Sequence, residues 1–200
     1  MMDNMFLTEI IATRLSHDLI GNIGAVSNAV ELLKEGDEND LDDVNNILEF
    51  SSSVLAKRLK FFRLCFGMSN ASVKDLDELK KIVSEYLETI GNPNYKIIYK
   101  QDISTQKIYK FIMPSVMMMA DVIIKGGEIT VKQTDNALKI EVSSSEKLNI
   151  SKLEDIKKIL NNQNVNENIS SFAPLYYLLA YTNKAKANVF LDGSMLVIGE

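Results

Sequence analysis

The sequence holds one histidine, His17, one cysteine, Cys65, and no tryptophan. A single cysteine forms no internal disulfide and provides no thiolate pair for a metal or redox site. One imidazole is too few for the metal-dependent phosphohydrolases that carry an adjacent His-Asp pair, because those sites need several histidine ligands. We therefore expect neither a metal nor another cofactor, and we expect a reducing compartment, the cytoplasm.

Basic residues are outnumbered by acidic ones. The chain has 22 Lys and Arg against 27 Asp and Glu, for a net charge of -5. A nucleic-acid surface needs clustered cations to neutralise phosphates, so no nucleic-acid partner is expected. The longest apolar run, residues 111–124, is too short to cross a membrane and contains Asp121. The first residues lack a basic signal-peptide region, so neither secretion nor membrane anchoring is expected.

Two long amphipathic helices are predicted in the first third of the chain. Apolar residues recur in steps of three and four over 4–34 and again over 41–66. Gly36 stands where a helix end favours a left-handed residue, and Asp40 is an available N-cap for the next helix. The first stripe contains Ala12, Leu19, Ile23, Val26, Val30 and Leu33, and the second contains Leu41, Val44, Leu48, Ser51, Leu55, Leu59 and Phe62.

Two such helices joined by a tight turn form an antiparallel hairpin. Their apolar stripes are too broad to cover one another, so a further surface must cover them. The simplest cover is a second copy of the hairpin across a two-fold axis, which makes a four-helix bundle. We therefore expect a homodimer.

The polar, small-residue segment 67–72 marks a predicted boundary between a helical domain at 1–68 and a second domain at 73–200. The second domain is predicted to be an α+β sandwich, with its methionine cluster in the core. Its predicted helices span 74–90, 114–125, 151–160 and 174–184, the second of them with Pro114 in its first turn. Its predicted strands span 95–100, 128–133, 137–142, 188–191 and 195–198, with a hairpin turn at Asp135 and Asn136.

His17 is predicted to face solvent, because at about 100° per residue it lies well over 90° around the helix from the apolar stripe. Ile20, Gly21 and Gly24 are its neighbours on that face. Each glycine in a helix interior costs roughly 1 kcal/mol relative to alanine, so two glycines away from the packed face require an explanation. A bare backbone lets another protein approach closely, so that an aspartyl phosphate in its pocket reaches the imidazole in line.

His17 is accordingly the candidate phosphoacceptor, because a neutral imidazole accepts and returns a phosphoryl group without a dedicated base. Asp18 is the candidate group that orients the imidazole or assists proton transfer. Arg14 is interpreted either as a contact for the partner's phosphoryl group or as an ordinary exposed cation. Asn28 is predicted to rim the docking surface. The competing interpretation of His17 is a polar residue on a wet face without a chemical role.

The segment from Leu15 to Leu33 reads LSHDLIGNIGAVSNAVELL. It resembles the phosphoacceptor helix of the ChpT-type histidine phosphotransferases of alphaproteobacteria, which is itself similar to the dimerisation helices of sensor histidine kinases. The match rests on the H-D-L-x-G-x-x-G-A-x-x-N core followed by E-L-L, and the order of hairpin then α+β domain covers essentially the whole chain. Asn22 departs from the proline and helix kink usual in the family, and Ala29 from a usual glycine.

The resemblance implies a homodimer with a central four-helix bundle, and phosphoryl relay through His17 from the receiver domain of a hybrid histidine kinase to response-regulator aspartates. It also implies that the second domain is a degenerate histidine-kinase ATP domain that binds no ATP. The Asn-bearing helix and the D-x-G-x-G loop of such domains are missing, and the corresponding helix offers MMMAD at 117–121. Two alternatives stay open: an ATP-dependent histidine kinase, and a non-catalytic dimeric adaptor for receiver domains.

Overall fold

The computed structural model describes residues 3–35, 41–67, 72–90, 94–165 and 168–199. Gly36 and Asp40, and most of the predicted boundary segment, lie outside these residues. The helices are α1 (Asn4–Glu35), α2 (Leu41–Phe66), α3 (Leu76–Glu88), α4 (Tyr109–Ala120), α5 (Ile150–Leu160) and α6 (Ala173–Ala185). The strands are β1 (Ile97–Asp102), β2 (Gly127–Gln133), β3 (Ala137–Ser143), β4 (Asn188–Asp192) and β5 (Met195–Gly199). Short 3-10 turns at Gln106–Ile108 and Ile169–Phe172 precede α4 and α6.

The two predicted long helices are confirmed. Helix α1 has 32 residues and packs along α2, which has 26. Asp3 accepts a hydrogen bond from the backbone N–H of Met5, and Asp42 and Asp43 place negative charge in the first turn of α2, where the helix dipole favours it. Among the described helices, none is both long enough and apolar enough to cross a membrane.

The predicted apolar stripe of α1 is only partly correct as a packed face. Leu19 and Val26 are half-buried, whereas Ile23 is 54% and Val30 is 39% exposed. The fully buried residues of the helix are Ile10 and Ala29. The packed face, which also includes Leu15, is therefore only partly the predicted stripe, and the rest of the stripe is left in solvent.

A five-stranded sheet forms the centre of the remaining chain, in the order β1-β2-β3-β5-β4. Strands β1 and β2 run parallel, and the other neighbours are antiparallel. The predicted turn at Asp135 and Asn136 is confirmed, since it joins β2 to β3, and Thr134 N–H donates to Ala137 O at 2.8 Å. A Cβ at Gly127 would lie 2.3 Å from the Ser143 carbonyl oxygen, so the start of β2 requires glycine.

Helices α3, α4, α5 and α6 contact this sheet, which buries alternate residues of its strands. The α+β prediction is confirmed. Helix α4 is almost wholly buried, and Met117, Met118 and Met119 have no exposed surface, as expected of core residues. The same apolar core continues into the end of α2, where Phe61 stacks on Tyr86 of α3 with ring centroids 3.8 Å apart.

The prediction for α4 was wrong at both ends. The helix begins at Tyr109, so Pro114 lies inside it and not in its first turn. Proline removes a backbone hydrogen bond there, but burial of the apolar residues on both sides outweighs this local cost. The helix ends at Ala120, because Ile123 pairs with Leu148 and Asn149 N–H donates to Val122 O at 2.8 Å, which turns the chain toward β2.

Lys110 connects α4 of the α+β part of the chain to the end of α2 in the helical hairpin. Its ammonium donates to the carbonyl oxygens of Cys65 at 3.3 Å and Gly67 at 2.7 Å, at the C-terminal end of α2, and the residue is 7% exposed. Carbonyls at a helix end have no partner within the helix, and a cation there also interacts favourably with the helix dipole. Burial lowers the pKa of Lys110.

We expect Lys110→Met to lower the free energy of unfolding by about 1–3 kcal/mol, because the two carbonyls lose their donor while the side-chain volume is kept. Urea denaturation measures the change. Lys107→Met, at an exposed lysine three residues earlier, is the control and should change stability by less than about 0.5 kcal/mol. Equal stability of the two variants would contradict a capping role for Lys110.

Candidate functional site

His17 lies near the middle of α1 with 80% of its side chain exposed. The predicted solvent orientation is confirmed. At about 100° per residue, Gly21, Gly24 and Asn28 fall within roughly 60° of one another and of His17 around the helix. All three are exposed, and a Cβ built at either glycine would meet no described atom within 4 Å. Ile20 borders this face and is 68% exposed.

These five residues, His17, Ile20, Gly21, Gly24 and Asn28, form what we call the histidine face of α1. Close packing within the chain does not explain Gly21 and Gly24, because a Cβ at either position would have open space around it. Because the two glycines carry no side chains, nothing protrudes beside the imidazole, and a convex partner surface can reach it without a clash. Docking of a partner on the histidine face stays a prediction.

Asp18 lies at the edge of the buried side of α1, and its side chain is 17% exposed. Its Oδ2 atom accepts a hydrogen bond from Arg14 Nε at 2.9 Å. Its Oδ1 atom lies 3.6 Å from His17 Nδ1, which is longer than a hydrogen bond but close enough for electrostatic attraction. Asp18 therefore connects the exposed imidazole to the interior of the protein.

Arg14 is held by carboxylates on two sides. Beyond its contact with Asp18, Nη1 and Nη2 donate to Asp121 Oδ2 at 2.9 Å and Oδ1 at 3.2 Å, and Nη1 also donates to the Ser171 carbonyl at 3.3 Å. The Arg14 side chain is only 13% exposed. Burial by itself lowers the pKa of Arg14, but Asp121 and Asp18 outweigh burial and raise it above its ordinary value. The guanidinium is thus a permanent cation at the contact between α1 and α4.

The interpretation of Arg14 as an ordinary exposed cation is therefore wrong. Its position at i-4 from Asp18 on the packed side of the helix turns it inward. A contact with a partner's phosphoryl group stays a prediction, and the guanidinium is already engaged by the two carboxylates.

Asp121 is the C-cap residue of α4 and has a second cation near it. Lys152 Nζ lies 4.0 Å from Asp121 Oδ2, donates to Ser171 Oγ at 2.8 Å, and sits 3.6 Å from the centroid of the Phe172 ring. Two cations, Arg14 and Lys152, thus face two carboxylates, Asp18 and Asp121. This balance of opposite charges offsets part of the cost of holding four charged side chains with little solvent exposure.

A second arginine holds the backbone of the same helical turn. Arg58 of α2 donates through Nη1 to the carbonyl oxygen of Asp18. It also donates through Nε to Thr89 Oγ1 at 3.1 Å and through Nη2 to the Thr89 carbonyl at 2.6 Å. Thr89 is the C-cap residue of α3. Both the carboxylate and the carbonyl of Asp18 are therefore bound by arginines that also contact residues beyond the hairpin, Asp121 and Thr89.

Sequence reasoning did not find Asp121, Lys152 or Arg58 as site residues. Asp121 is 107 positions from Arg14, and Arg58 is 40 positions from Asp18. Local patterns report neighbours three or four residues apart, so only a tertiary fold can bring these side chains together. The one available signal was an acidic residue, Asp121, inside an apolar run that is buried in a folded protein.

The site as a whole offers an exposed nucleophile beside a fixed carboxylate. Within the described parts of the chain, no group of three or more His, Cys, Asp or Glu residues is arranged to hold a metal ion. The chemistry available to these residues themselves is nucleophilic attack by an imidazole, with a carboxylate nearby to orient the ring and to balance a positive charge on it.

Comparison with solved structures identifies the class of fold. The chain is similar over 99% of its length to 97% of a chain described as "1.7 Angstrom Structure of a Bacterial Phosphotransferase", with a TM-score of 0.75 and 20% sequence identity. At this identity the likeness shows the fold alone. No family model matches the sequence.

A curated relative is similar to the chain in sequence as well. The "Protein phosphotransferase ChpT" of Brucella abortus (strain 2308) is 23% identical over 128 residues, which are 63% of this chain and 60% of that protein. The chain thus matches less than two thirds of the relative's length. The similarity confirms the resemblance to ChpT-type proteins that the residues around His17 indicate.

We expect Arg14→Met to lower the free energy of unfolding by about 2–4 kcal/mol, because it leaves two partly buried carboxylates with one fewer cation. Chemical denaturation followed by circular dichroism measures the loss. Arg63→Met, which removes an exposed arginine from α2, is the matched control and should cost less than about 0.5 kcal/mol. A loss no larger than in the control would show that the Arg14 contacts contribute nothing to stability.

Proposed function

We propose that this protein is a histidine phosphotransferase of a multistep phosphorelay, and that His17 is the residue that carries the phosphoryl group. The observation that supports this most is the exposed His17 imidazole on a glycine-lined face, with the Asp18 carboxylate held 3.6 Å from Nδ1. The phosphotransferase names of the relative and of the structural neighbour agree with it. The donor is the receiver domain of a hybrid histidine kinase, and the acceptors are response-regulator aspartates.

In the proposed reaction, His17 Nε2 attacks the phosphorus of an aspartyl phosphate on the partner. An N–P bond forms and the acyl O–P bond breaks, so the partner's aspartate leaves as a carboxylate. The imidazole keeps the proton on Nδ1 and becomes cationic, and the Asp18 carboxylate stabilises that charge. Transfer to the next receiver is the reverse reaction with a different carboxylate, and no separate base is required.

The histidine face is the proposed docking surface. Gly21 and Gly24 keep the backbone bare beside the imidazole, Ile20 provides an exposed apolar contact, and Asn28 provides a hydrogen-bonding group at the rim. Arg14 holds Asp18 from the packed side of α1. A contact of its guanidinium with the partner's phosphoryl group stays a prediction.

A homodimer is part of the proposal. Large apolar side chains stay exposed along both hairpin helices, and burying them would be favourable by about 25 cal/mol per Å². Apart from Ile20 of the histidine face, they are Ile23, Val30, Leu32 and Leu33 on α1, and Leu41, Ile47, Phe50 and Leu59 on α2. Ile23 and Val30 share one face because seven residues are close to two helical turns, and that face is distinct from the histidine face. A second hairpin packed on it gives the four-helix bundle.

We also propose that residues 73–200 are a degenerate histidine-kinase ATP domain, distinct from the hairpin domain at 1–68. Helix α4 supports this, since its positions 117–119 carry wholly buried methionines in place of the asparagine that a histidine-kinase ATP domain uses to bind magnesium. At the end of that helix, Asp121 is engaged by Arg14 of the hairpin. A cytoplasmic location fits the single cysteine, Cys65, which is buried and unpaired.

We expect His17→Gln to abolish phosphoryl transfer while leaving fold, oligomeric state and stability within about 0.5 kcal/mol of the wild type, because the side chain is exposed. The measurement incubates each protein with a radiolabelled phosphorylated receiver domain and, separately, with labelled ATP. Wild type should take label from the receiver and not from ATP.

The outcomes separate the alternatives. Label from ATP would make the protein a kinase, and binding of receivers without any transfer would make it an adaptor. Asn164→Gln, at an exposed position outside the histidine face, keeps the imidazole; it is the control and should retain transfer.

We expect the wild type at micromolar concentration to have twice the chain's mass of 22.5 kDa, and Ile23→Glu to shift it toward a single chain. A charge placed in an apolar interface costs several kcal/mol, so the dimer should dissociate. Light scattering coupled to size exclusion measures the mass. Ile124→Glu is the matched control, since Ile124 is 57% exposed on the second half while Ile23 is 54% exposed. A monomeric wild type would contradict the dimer.

A further inference from the structure

The helical turn that carries His17 is held at two points by residues that follow the hairpin, within 73–200. Arg14 connects the Asp18 carboxylate to Asp121 at the end of α4, and Arg58 connects the Asp18 carbonyl to Thr89 at the end of α3. Asp18 is the residue whose carboxylate faces the imidazole. The arrangement beside the nucleophile thus depends on residues far from it.

We infer that Asp121 is a positioning residue for phosphoryl transfer at His17, acting through Arg14 and Asp18 without touching the histidine. The expected effect on the transfer rate rests on the proposed function. The expected effect on the orientation of the His17 ring does not, because it concerns the unphosphorylated protein alone. Residues 73–200 thus take part in the reaction, because the Asp121 carboxylate at the end of α4 keeps Asp18 in place through Arg14.

The physical reason lies in the shape of the guanidinium. Its N–H groups are fixed in one plane, so two contacts to Asp121, at 2.9 and 3.2 Å, determine where the remaining Nε–H points. That Nε–H donates to Asp18 Oδ2 at 2.9 Å, which leaves Oδ1 turned toward His17. Without Asp121, only the contact of Nη1 with the Ser171 carbonyl at 3.3 Å holds the far side of the guanidinium. Arg14 then rotates more freely, and the Asp18 carboxylate can follow it or turn to solvent.

The position of this carboxylate selects the imidazole tautomer. A negative charge near Nδ1 favours the form with its proton on Nδ1, which leaves the Nε2 lone pair free for attack on phosphorus. Loss of the carboxylate from this position lets the ring populate the other tautomer and other side-chain rotamers. Nucleophilic attack then begins from a smaller population of the reactive form.

The single histidine makes a direct test possible. Long-range proton–nitrogen spectra of the full chain contain imidazole signals from His17 alone. In mildly alkaline buffer we expect the wild type to show mainly the Nδ1-protonated form. Asp121→Asn should shift the ring nitrogens toward the averaged values of a free imidazole. Asp155→Asn is the matched control, because it removes another partly buried carboxylate that is paired with a lysine, Lys158, within the second half.

A double-mutant comparison tests the route through Asp18. In an Asp18→Asn background, Asp121→Asn should produce no further change in the His17 signals, because the intermediate group is already lost. Equal changes with and without the Asp18 carboxylate would overturn the inference, as would an Asp121→Asn spectrum identical to that of the wild type. If Asp121→Asn fails to fold, Arg14→Lys replaces it, since lysine keeps the charge without the planar fork.

The kinetic measurement uses transfer from a phosphorylated receiver domain at several concentrations. Asp121→Asn should lower the transfer rate at saturating receiver about tenfold or more, while the receiver concentration at half-maximal rate changes less than about twofold. A rise in that concentration with an unchanged maximal rate would make Asp121 a docking residue and overturn the inference. If the wild type transfers nothing, the proposed function fails, and the spectra still decide whether Asp121 orients His17.

Discussion

The ion bridge from Arg14 to Asp18 and Asp121 is the contact on which the arrangement of this protein depends. It joins the long N-terminal hairpin to the α+β part of the chain, and it does so at the turn of α1 that presents His17. Charges that are this little exposed are stable only when each has its partner, so the bridge favours one relative position of the two parts over others. Arg58, which links the same turn to Thr89, restricts that position further.

Helix α1 shows how a single helix divides three tasks among its faces. One face carries Arg14, Asp18 and Ala29 toward the rest of the chain. A second carries Ile23 and Val30, which stay exposed. The third is the histidine face, where glycines keep the surface low. A regular advance of about 100° per residue keeps these faces separate, so neighbouring residues such as His17 and Asp18 can point into solvent and toward the interior while their side chains stay close.

The parts of the fold that depend on local patterns were predictable. Long apolar repeats predicted α1 and α2, and short alternating runs with a turn between them predicted the β2–β3 hairpin, because a side-chain periodicity of 3.6 or 2 is set by the backbone itself. The start of α4 was missed because Pro114 was interpreted by its local preference, whereas burial of the whole helix decided its extent. The packed face of α1 was misplaced for a similar reason, since apolar content alone does not show which neighbours a helix face meets.

The features of the candidate site likewise fall into those that local sequence predicts and those that packing of the whole chain decides. The sequence by itself determined that one imidazole exists, that it lies off the apolar stripe of a long helix, and that glycines flank it, because all three follow from residue identity and helical periodicity. Only the tertiary structure decided that Arg14 turns inward and that Asp121 and Arg58 hold the turn around Asp18. The reason is physical: contacts between residues 40 and 107 positions apart arise from packing of the whole chain, which no local pattern records.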